Sequence, residues 1–526
     1  MMKTLLVNFA WYCSNLPGYI AYKRGIRNVK RTQMQRLLKL VRTARETKFG
    51  LKHDFASINS LEDFRERVPV SEYQDFELYI DEIAAGKPDV LFPGHPWCFE
   101  PTSGTSSTNK LIPYNRALHQ EFQAGIAPWI FSMFTHNPGL MKGSAYWSIS
   151  PVKHQKRFTT SGIPIGFQDD TVYLNYVMRH AMKYVMAVPG DIAASDTIDD
   201  FYLHTMRHLV LADNLALISI WNPSFLSILL DILKRNKTLF IKEIESIDHE
   251  RAKKSENMSY SEIWPQLKVI SCWADGAATV SAKQLKDLFP GVKLIPKGLI
   301  ATEGFISFPI EGLAAHALAI NSHFYEFIPL NHSDRILSAW ELELGCRYSV
   351  VITTGGGLYR YKLHDIIQVE GFYHQCPLLK FIGRDNTTSD ICGEKLHEEL
   401  VIECLQEVFT SASPGFALLA PEKNTGDSPF HYVLYVTDCN QFSATELENK
   451  QQQFEQLLCR NYHYAYCREL KQLDAVKFAV LNISKERAMK YYLDESTVYG
   501  QKLGDIKPTV LSNKSGWDKI FAGLLR

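Results

Sequence analysis

Beyond residue 90 the chain alternates short apolar runs with stretches of helical periodicity. Residues 215–220, Leu-Ala-Leu-Ile-Ser-Ile, form an almost unbroken apolar run, as expected for a strand covered on both faces. Asn222-Pro223-Ser224 then opens a helix running through Leu233, with Asn222 as cap and proline at the first helical position. Residues 267–272 and 292–295 read as further strands, each near a glycine-containing turn. Such alternation predicts parallel α/β layers. Residues 348–354, Gly355-Gly356-Gly357 and residues 358–363 read instead as a hairpin or tight strand connection. Near the N-terminus, Met34, Leu37, Leu38, Val41 and Ala44 recur at helical spacing in a strongly basic stretch, with Gly50 as the expected stop. The basic face suits a membrane or nucleic-acid surface, but the ordinary reading is the solvated back of an amphipathic helix.

Residues 383–389 mark a boundary. After it come a helix at 394–409, strands at 416–420 and 431–436, and a polar loop at 421–429. Ser443 to Glu446 has the pattern of a capping box that starts a helix towards Tyr462, and 476–483 reads as a third strand. This gives a small α+β module, residues 386–526, behind a large domain, residues 1–385.

Composition narrows the class. The chain has 526 residues, 46% apolar and 22% charged, enough to bury a sizeable core in more than one unit. Lys plus Arg total 57 and Asp plus Glu total 57, so the basic excess of a nucleic-acid binder is absent. The 10 cysteines include no C-x-x-C pair and read as thiols of a reducing compartment. Met1 to Val7 reads as the start of a helix rather than a signal peptide, and no run of about 18 apolar residues offers a membrane span. A cytoplasmic protein is expected.

Four segments carry chemistry. In Thr102-Ser103-Gly104-Thr105-Ser106-Ser107-Thr108-Asn109-Lys110, six hydroxyls surround one glycine and a lysine ends the run. Hydroxyls and amides can donate to phosphate oxygens and lysine supplies charge; a solvated Ser/Thr loop has the same composition. Thr302-Glu303, framed by Gly298 and Gly304 after the apolar strand near Leu294, suits a magnesium–phosphate site or an exposed turn. In Tyr359-Arg360-Tyr361-Lys362-Leu363-His364-Asp365, period-2 alternation places Tyr359, Tyr361 and Leu363 on one face and Asp365 at the strand end. There it would accept ribose hydroxyls or make a surface Arg–Asp ion pair. Gly383-Arg384-Asp385 and Gly393-Glu394-Lys395 suit a hinge or a charged turn.

In order and spacing these segments resemble the adenylate-forming enzymes, and among them the auxin-responsive Gretchen Hagen family of acyl-acid amido synthetases. The family's T/S-S-G-T-S loop is similar to Thr102–Ser106, its T/S-E motif to Thr302-Glu303, and its Y-R-x-x-D motif to Tyr361–Asp365, with Lys362 in place of arginine. Pro223-Ser-Phe-Leu226, Phe324-Tyr-Glu-Phe-Ile-Pro329 and Gly357-Leu-Tyr-Arg360 add to the likeness, which reaches Lys507-Pro508. Two departures stand out. Ser107 replaces the usual glycine, and His364 stands where many members have glycine, a place where it would narrow the nucleotide site or add a titratable contact.

The resemblance implies an α/β fold: a large adenylate-forming domain with parallel sheets and a small β-barrel, and a smaller mobile C-terminal domain. It implies a ligase using ATP and magnesium, which joins a carboxylic acid to an amine, typically an amino acid, as a monomer or weak homodimer. Ser103, Gly104, Thr105, Ser106 and Lys110 would hold phosphates, Thr302 the α-phosphate, and Glu303 the metal. Asp365 would hold the ribose with Arg384 nearby, Gly276 would sit in the loop walling the adenine, and Lys507 would serve catalysis from the small domain. A thioester-forming ligase using coenzyme A and a catalytically inactive nucleotide-binding relative are the alternatives. The acid pocket would draw on residues 118–230, whose aromatics, Phe122, Trp129, Phe131 and Trp147 among them, suit a core equally well.

Overall fold

The computed structural model describes all residues except 1, 102–109, 149–156, 167–180, 196, 256–258, 331–334, 385–387, 411–412, 424–428, 499–508 and 526. Its organising element is a four-stranded parallel sheet, Ser144–Trp147, Leu215–Ser219, Val269–Cys272 and Lys293–Pro296, paired in chain order. Helices Ile198–Leu211, Pro223–Arg235 and Thr279–Leu288 lie in the successive crossovers, as parallel pairing requires. Alternation along the strands builds two cores. Tyr146, Ile218 and Ile270 face a cluster with Leu226 and Leu285. Ala145, Leu217, Val269 and Ile295 face Ile130 and Met133 of helix Arg116–His136 and Trp11 of helix Met2–Gly25. Asn222 caps the second crossover helix by accepting from the Ser224 amide, with Pro223 in the first turn, as the sequence predicts.

A seven-stranded antiparallel sheet forms the β-rich body, ordered 337–338, 324–329, 347–353, 361–373, 376–384, 316–318 and 307–308. A smaller sheet is ordered 111–114, 98–101, 164–165 and 157–158. The C-terminal unit is a three-stranded sheet, Ala417–Lys423, Phe430–Val436 and Leu473–Val480. Helices Glu398–Val408, Ala444–Leu458 and Tyr462–Glu469 contribute Val401, Phe454 and Tyr464 to the core on one face. On the other face Phe416, Tyr435, Tyr492 and Phe521 join the cluster of the crossover helices, so the C-terminal unit shares a core with the large domain. Ser443 and Glu446 form the expected capping box.

Several boundaries differ from the sequence expectation. The basic stretch is a helix, Val29–Ala44, with Leu37, Val41 and Ala44 buried, so its apolar stripe is core. Gly50 does not stop it: it lies in the short helix Lys48–Lys52, where a Cβ would stand 2.1 Å from the Ala44 carbonyl oxygen. The strand expected from residue 358 starts at Tyr361 and runs to Tyr373. Arg360 has φ +51°, which interrupts the extended backbone before it. The helix expected from Glu394 starts at Glu398, because Lys395 is left-handed (φ +43°) and the Glu394 carboxylate instead accepts the Ile391 and Cys392 amides.

Candidate active site

The hydroxyl-rich run, with Ser103, Gly104, Thr105 and Ser106, lies outside the described residues. Its feet are clear. Cys98–Pro101 pairs antiparallel with Leu111–Tyr114, Cys98 opposite Tyr114 and Pro101 opposite Leu111, so the run connects one end of a hairpin. Tyr73 fastens the second foot: the Leu111 amide donates to its hydroxyl at 2.8 Å, and Lys110 Nζ lies 5.4 Å from its ring centre. Burial lowers the Lys110 ammonium below its ordinary value; Glu303 opposes this, Arg384 adds to it, and Glu72 opposes it. Residues far apart in sequence therefore act on one charge.

Thr302 and Glu303 sit at the tip of a tight turn a few residues past the strand Lys293–Pro296, rather than on the strand end. The turn is closed by the Ala301 amide on the Gly304 carbonyl (2.9 Å) and the reverse bond (3.2 Å). Gly298 is required for the approach, since a Cβ there would lie 2.0 Å from the Ser307 carbonyl oxygen. Tyr114, last residue of the hairpin, donates its hydroxyl to the Thr302 carbonyl at 2.7 Å, tying the turn to the hydroxyl-rich hairpin.

A buried polar chain holds the turn from behind. The Phe305 amide donates to His323 Nε2 at 2.9 Å, and His323 Nδ1 lies 2.8 Å from Glu121 Oε2. A ring nitrogen accepting from an amide carries no proton, so the imidazole proton sits on Nδ1, facing the carboxylate. Glu121, 1% exposed, also takes Arg36 at 2.7 Å and the Gly355 amide at 2.9 Å. One carboxylate thereby positions the Thr302-Glu303 turn and the glycine triplet together.

Asp365 is not at a strand end. It lies within strand Tyr361–Tyr373 at a bulge, next to His364 with φ +64°. The register puts it opposite Arg384, and Asp365 Oδ1 lies 3.2 Å from Arg384 Nε. Arg384 Nη2 also donates to the Leu363 carbonyl at 3.1 Å. Asp365 is 1% exposed, so the surface Arg–Asp pair does not exist. Arg360 is buried too, and pairs with Glu326 through Nε at 2.8 Å. Tyr361 senses the same surroundings: burial raises its phenol, and Glu303, Arg384, Tyr73 and Asp365 all act on it. His364 Nε2 lies 3.5 Å from Glu72 Oε1.

Gly276, φ +56°, opens a short turn at Gly276–Ala278, and a Cβ on it would come 3.4 Å from the Phe381 ring on the strand that ends at Arg384. Lys507 lies outside the described residues. Close after it, Thr509 Oγ1 and the Val510 amide donate to Glu398 Oε1 at 2.6 and 2.9 Å. Burial raises the Glu398 carboxyl, and Arg384 is among the groups that lower it. The C-terminal segment thus returns to the neighbourhood of Arg384.

Lys110, Glu303, Arg384 and Asp365 are thus electrostatic neighbours beside the strand pair that flanks residues 102–109. The fold is shared with solved ligases. A solved 2-hydroxyisobutyryl-CoA ligase in its postadenylation state overlays with TM-score 0.51 at 12% identity, over 92% of this chain and 89% of that one. The acyl acid amido synthetase GH3.15 of the AtGH3.15 complex with 2,4-DB overlays better, with TM-score 0.81 at 17% identity over 97% and 96%. The model of the GH3 family N-terminal domain matches residues 22–253 and that of the GH3 family central domain matches residues 316–384, together more than half of the chain. The chain belongs to the GH3 family. Among its relatives is the 4-substituted benzoates-glutamate ligase GH3.12 of Arabidopsis thaliana, 22% identical over 71% of this chain and 72% of that protein.

Sequence reading missed Tyr73, Glu121, His323 and Tyr114. Glu121 and His323 lie in unrelated segments and no local pattern links them. Only the Thr302-Glu303 motif points at what they support.

Proposed function

We propose that this chain joins a carboxylic acid to an amine, an amino acid, through an acyl-adenylate, with ATP giving AMP and pyrophosphate. The observation that carries the reading is the convergence of Lys110, Glu303, Asp365 and Arg384 beside the feet of the 102–109 connection. An acid carboxylate attacks the α-phosphorus and pyrophosphate leaves. The amine nitrogen then attacks the acyl carbon, AMP leaves, and the amine gives up a proton. Such chemistry needs placed charges and alignment more than a covalent nucleophile.

Ser103, Gly104, Thr105 and Ser106 would grip the phosphates, with Lys110 as the charge at the foot of the run. Thr302, fixed by Tyr114, would meet the α-phosphate, and Asp365 would accept ribose hydroxyls with Arg384 alongside. Gly276 would let the backbone wall the adenine. A half-buried Glu303 carboxylate at a turn tip, with phosphate oxygens completing the shell, fits magnesium, which takes one or two carboxylates there. Bound magnesium would neutralise phosphate charge. Lys507 would enter from residues 386–526, and movement of that smaller body against residues 1–385 would have to open the core that it shares with the crossover helices.

The better overlay on an amido synthetase than on a coenzyme A ligase concerns fold, and supports an amine over a thiol acceptor. Among the described residues no helix is long and apolar enough to cross a membrane; the ten free thiols with no C-x-x-C pair favour a reducing compartment, the cytoplasm. The test is product stoichiometry with ATP, a panel of acids and amino acids: amide, AMP and pyrophosphate in equal amounts support the reading, and ADP with phosphate would overturn it.

A further inference from the structure

Helix Met2–Gly25 is packed inside out. Its buried positions include the polar Thr4, Asn8 and Asn15, whereas Met2, Leu6, Phe9, Cys13, Leu16 and Ile20 are exposed. Spaced three or four residues apart, those six share one face. Met2 is 76% exposed, Leu6 61% and Phe9 56%. A surface helix ordinarily turns its apolar stripe to the core and its polar face to water.

The packing beneath forbids the helix to roll. Asn8 Nδ2 donates to the Leu140, Met141 and Gly143 carbonyls at 3.1, 3.1 and 3.0 Å, and Thr4 Oγ1 donates to the Tyr184 carbonyl at 3.1 Å. Tyr12 and Tyr19 each stack on Phe131 of helix Arg116–His136, with centroids 4.5 Å apart. A Cβ on Gly18 would lie 2.5 Å from Ala127 Cβ, so the two helices touch. Rolling the stripe inward would strip the buried Asn8 amide of its acceptors and expose Trp11. The apolar face is therefore held outward, and a contiguous exposed face of this kind marks a contact surface.

Charge selects the occupant. Residues 1–45 contain ten Lys or Arg and no Asp or Glu, in a chain whose totals balance at 57 each. Arg36 is paired with Glu121. Lys3 and Arg24, both exposed, stand at opposite ends of the stripe, and Arg27, Lys30 and Arg31 follow, exposed, past its C-terminal end. At the other end Lys3 Nζ and Lys183 Nζ lie 5.4 and 5.1 Å from the ring centre of the exposed Tyr184. A second copy docked stripe to stripe, in either direction, would set like charges together. Anionic lipid headgroups complement them, while the apolar side chains enter the acyl boundary. We infer that helix Met2–Gly25 seats the protein flat on an anionic phospholipid bilayer, with Leu6, Phe9 and Leu16 inserted and Lys3 and Arg24 among the headgroups. None of these residues belongs to the adenylation site, so the inference stands apart from that reading.

The test is co-sedimentation of the full-length protein with vesicles of phosphatidylcholine alone, or of phosphatidylcholine and phosphatidylglycerol in equal parts. Wild type should bind the mixed vesicles at least about tenfold more tightly, and should lose that advantage as salt is raised. Leu6→Asn/Phe9→Asn should weaken binding to mixed vesicles by about 100-fold, roughly a decade for each side chain no longer buried. Lys3→Glu/Arg24→Glu should weaken it by at least about tenfold. An environment-sensitive maleimide dye on Cys13, in a Cys346→Ser background that removes the other exposed thiol, should shift to the blue on mixed vesicles. No wild-type binding to mixed vesicles, or equal binding to both compositions, would overturn the inference. So would wild-type affinity in both variants, or an unshifted dye on bound protein, which would place the contact elsewhere. A dimer in sedimentation velocity that Leu6→Asn/Phe9→Asn splits, without vesicle binding, would overturn it in favour of a second copy. If Leu6→Asn/Phe9→Asn does not fold, Lys3→Glu/Arg24→Glu and the Cys13 dye decide.

Discussion

His323 accepts the amide hydrogen of Phe305 on Nε2 at 2.9 Å, two residues past Glu303, while its other nitrogen faces Glu121. The turn that offers Glu303 is therefore set by a side chain buried out of reach of solvent. His323→Leu should orphan the Phe305 amide and lower stability by about 1–3 kcal/mol. It should also raise the magnesium concentration needed for half-maximal activity. Urea unfolding and a magnesium titration check both; an unchanged magnesium requirement would make His323 purely a core residue.

Asp365→Asn keeps the shape of the side chain and removes its charge. If the carboxylate accepts ribose hydroxyls, ATP binding should weaken by about 1.5–3 kcal/mol, the range for hydrogen bonds to charged groups. The substitution also leaves the partly buried Arg384 without its ion-pair partner 3.2 Å away, so some stability is lost too. Titration calorimetry with ATP on the folded variant separates the two, and wild-type affinity would leave Asp365 a strand-pairing residue only.

The local signals were legible and the long-range ones were not. Asn222 with Pro223, and Ser443 with Glu446, act within one turn, so their caps are written in adjacent letters. The apolar run of residues 215–219 is a strand covered on both faces, which needs no partner to be recognised. Arg360 misled, because its backbone is left-handed and its side chain is buried on Glu326, in another strand, neither of which the alternation of residues 358–363 announces. Asn8 and the carbonyls that hold it meet only once helix Met2–Gly25 lies on residues 140–143.

Glu394 predicts an acid sensitivity in the C-terminal unit. Burial pushes its carboxyl up, but the Tyr432 hydroxyl and the Cys392 and Ile391 amides outweigh that, and it ends below its ordinary 4.5. For a depressed carboxyl the unfolded chain binds the proton more tightly, so its stabilisation is complete above 4.5 and is lost as pH falls below that value. Glu394→Gln should be less stable than wild type at pH 7, and the gap should narrow on acidification. Urea midpoints at several pH values test this; a pH-independent gap would contradict the sign.

Lys507→Ala tests closure of the smaller body. A lysine that meets the charge growing on phosphate during adenylation is worth about 3–4 kcal/mol, roughly two to three orders of magnitude in rate. The amide step builds no such charge. The variant should lose pyrophosphate exchange yet still convert a supplied acyl-adenylate and amine. Equal loss of both would point to damaged folding of residues 386–526, and full exchange would exclude the lysine from chemistry.

The most direct measurement of the central claim is exchange of labelled pyrophosphate into ATP by the full-length protein with a carboxylic acid and no amine. If Lys110, Glu303, Asp365 and Arg384 frame an adenylation site, label enters ATP only when both acid and magnesium are present. Glu303→Gln, nearly isosteric, should then reduce that incorporation sharply at every magnesium concentration. Exchange that ignores the acid, or a Glu303→Gln protein with the wild-type rate and magnesium dependence, would contradict the account.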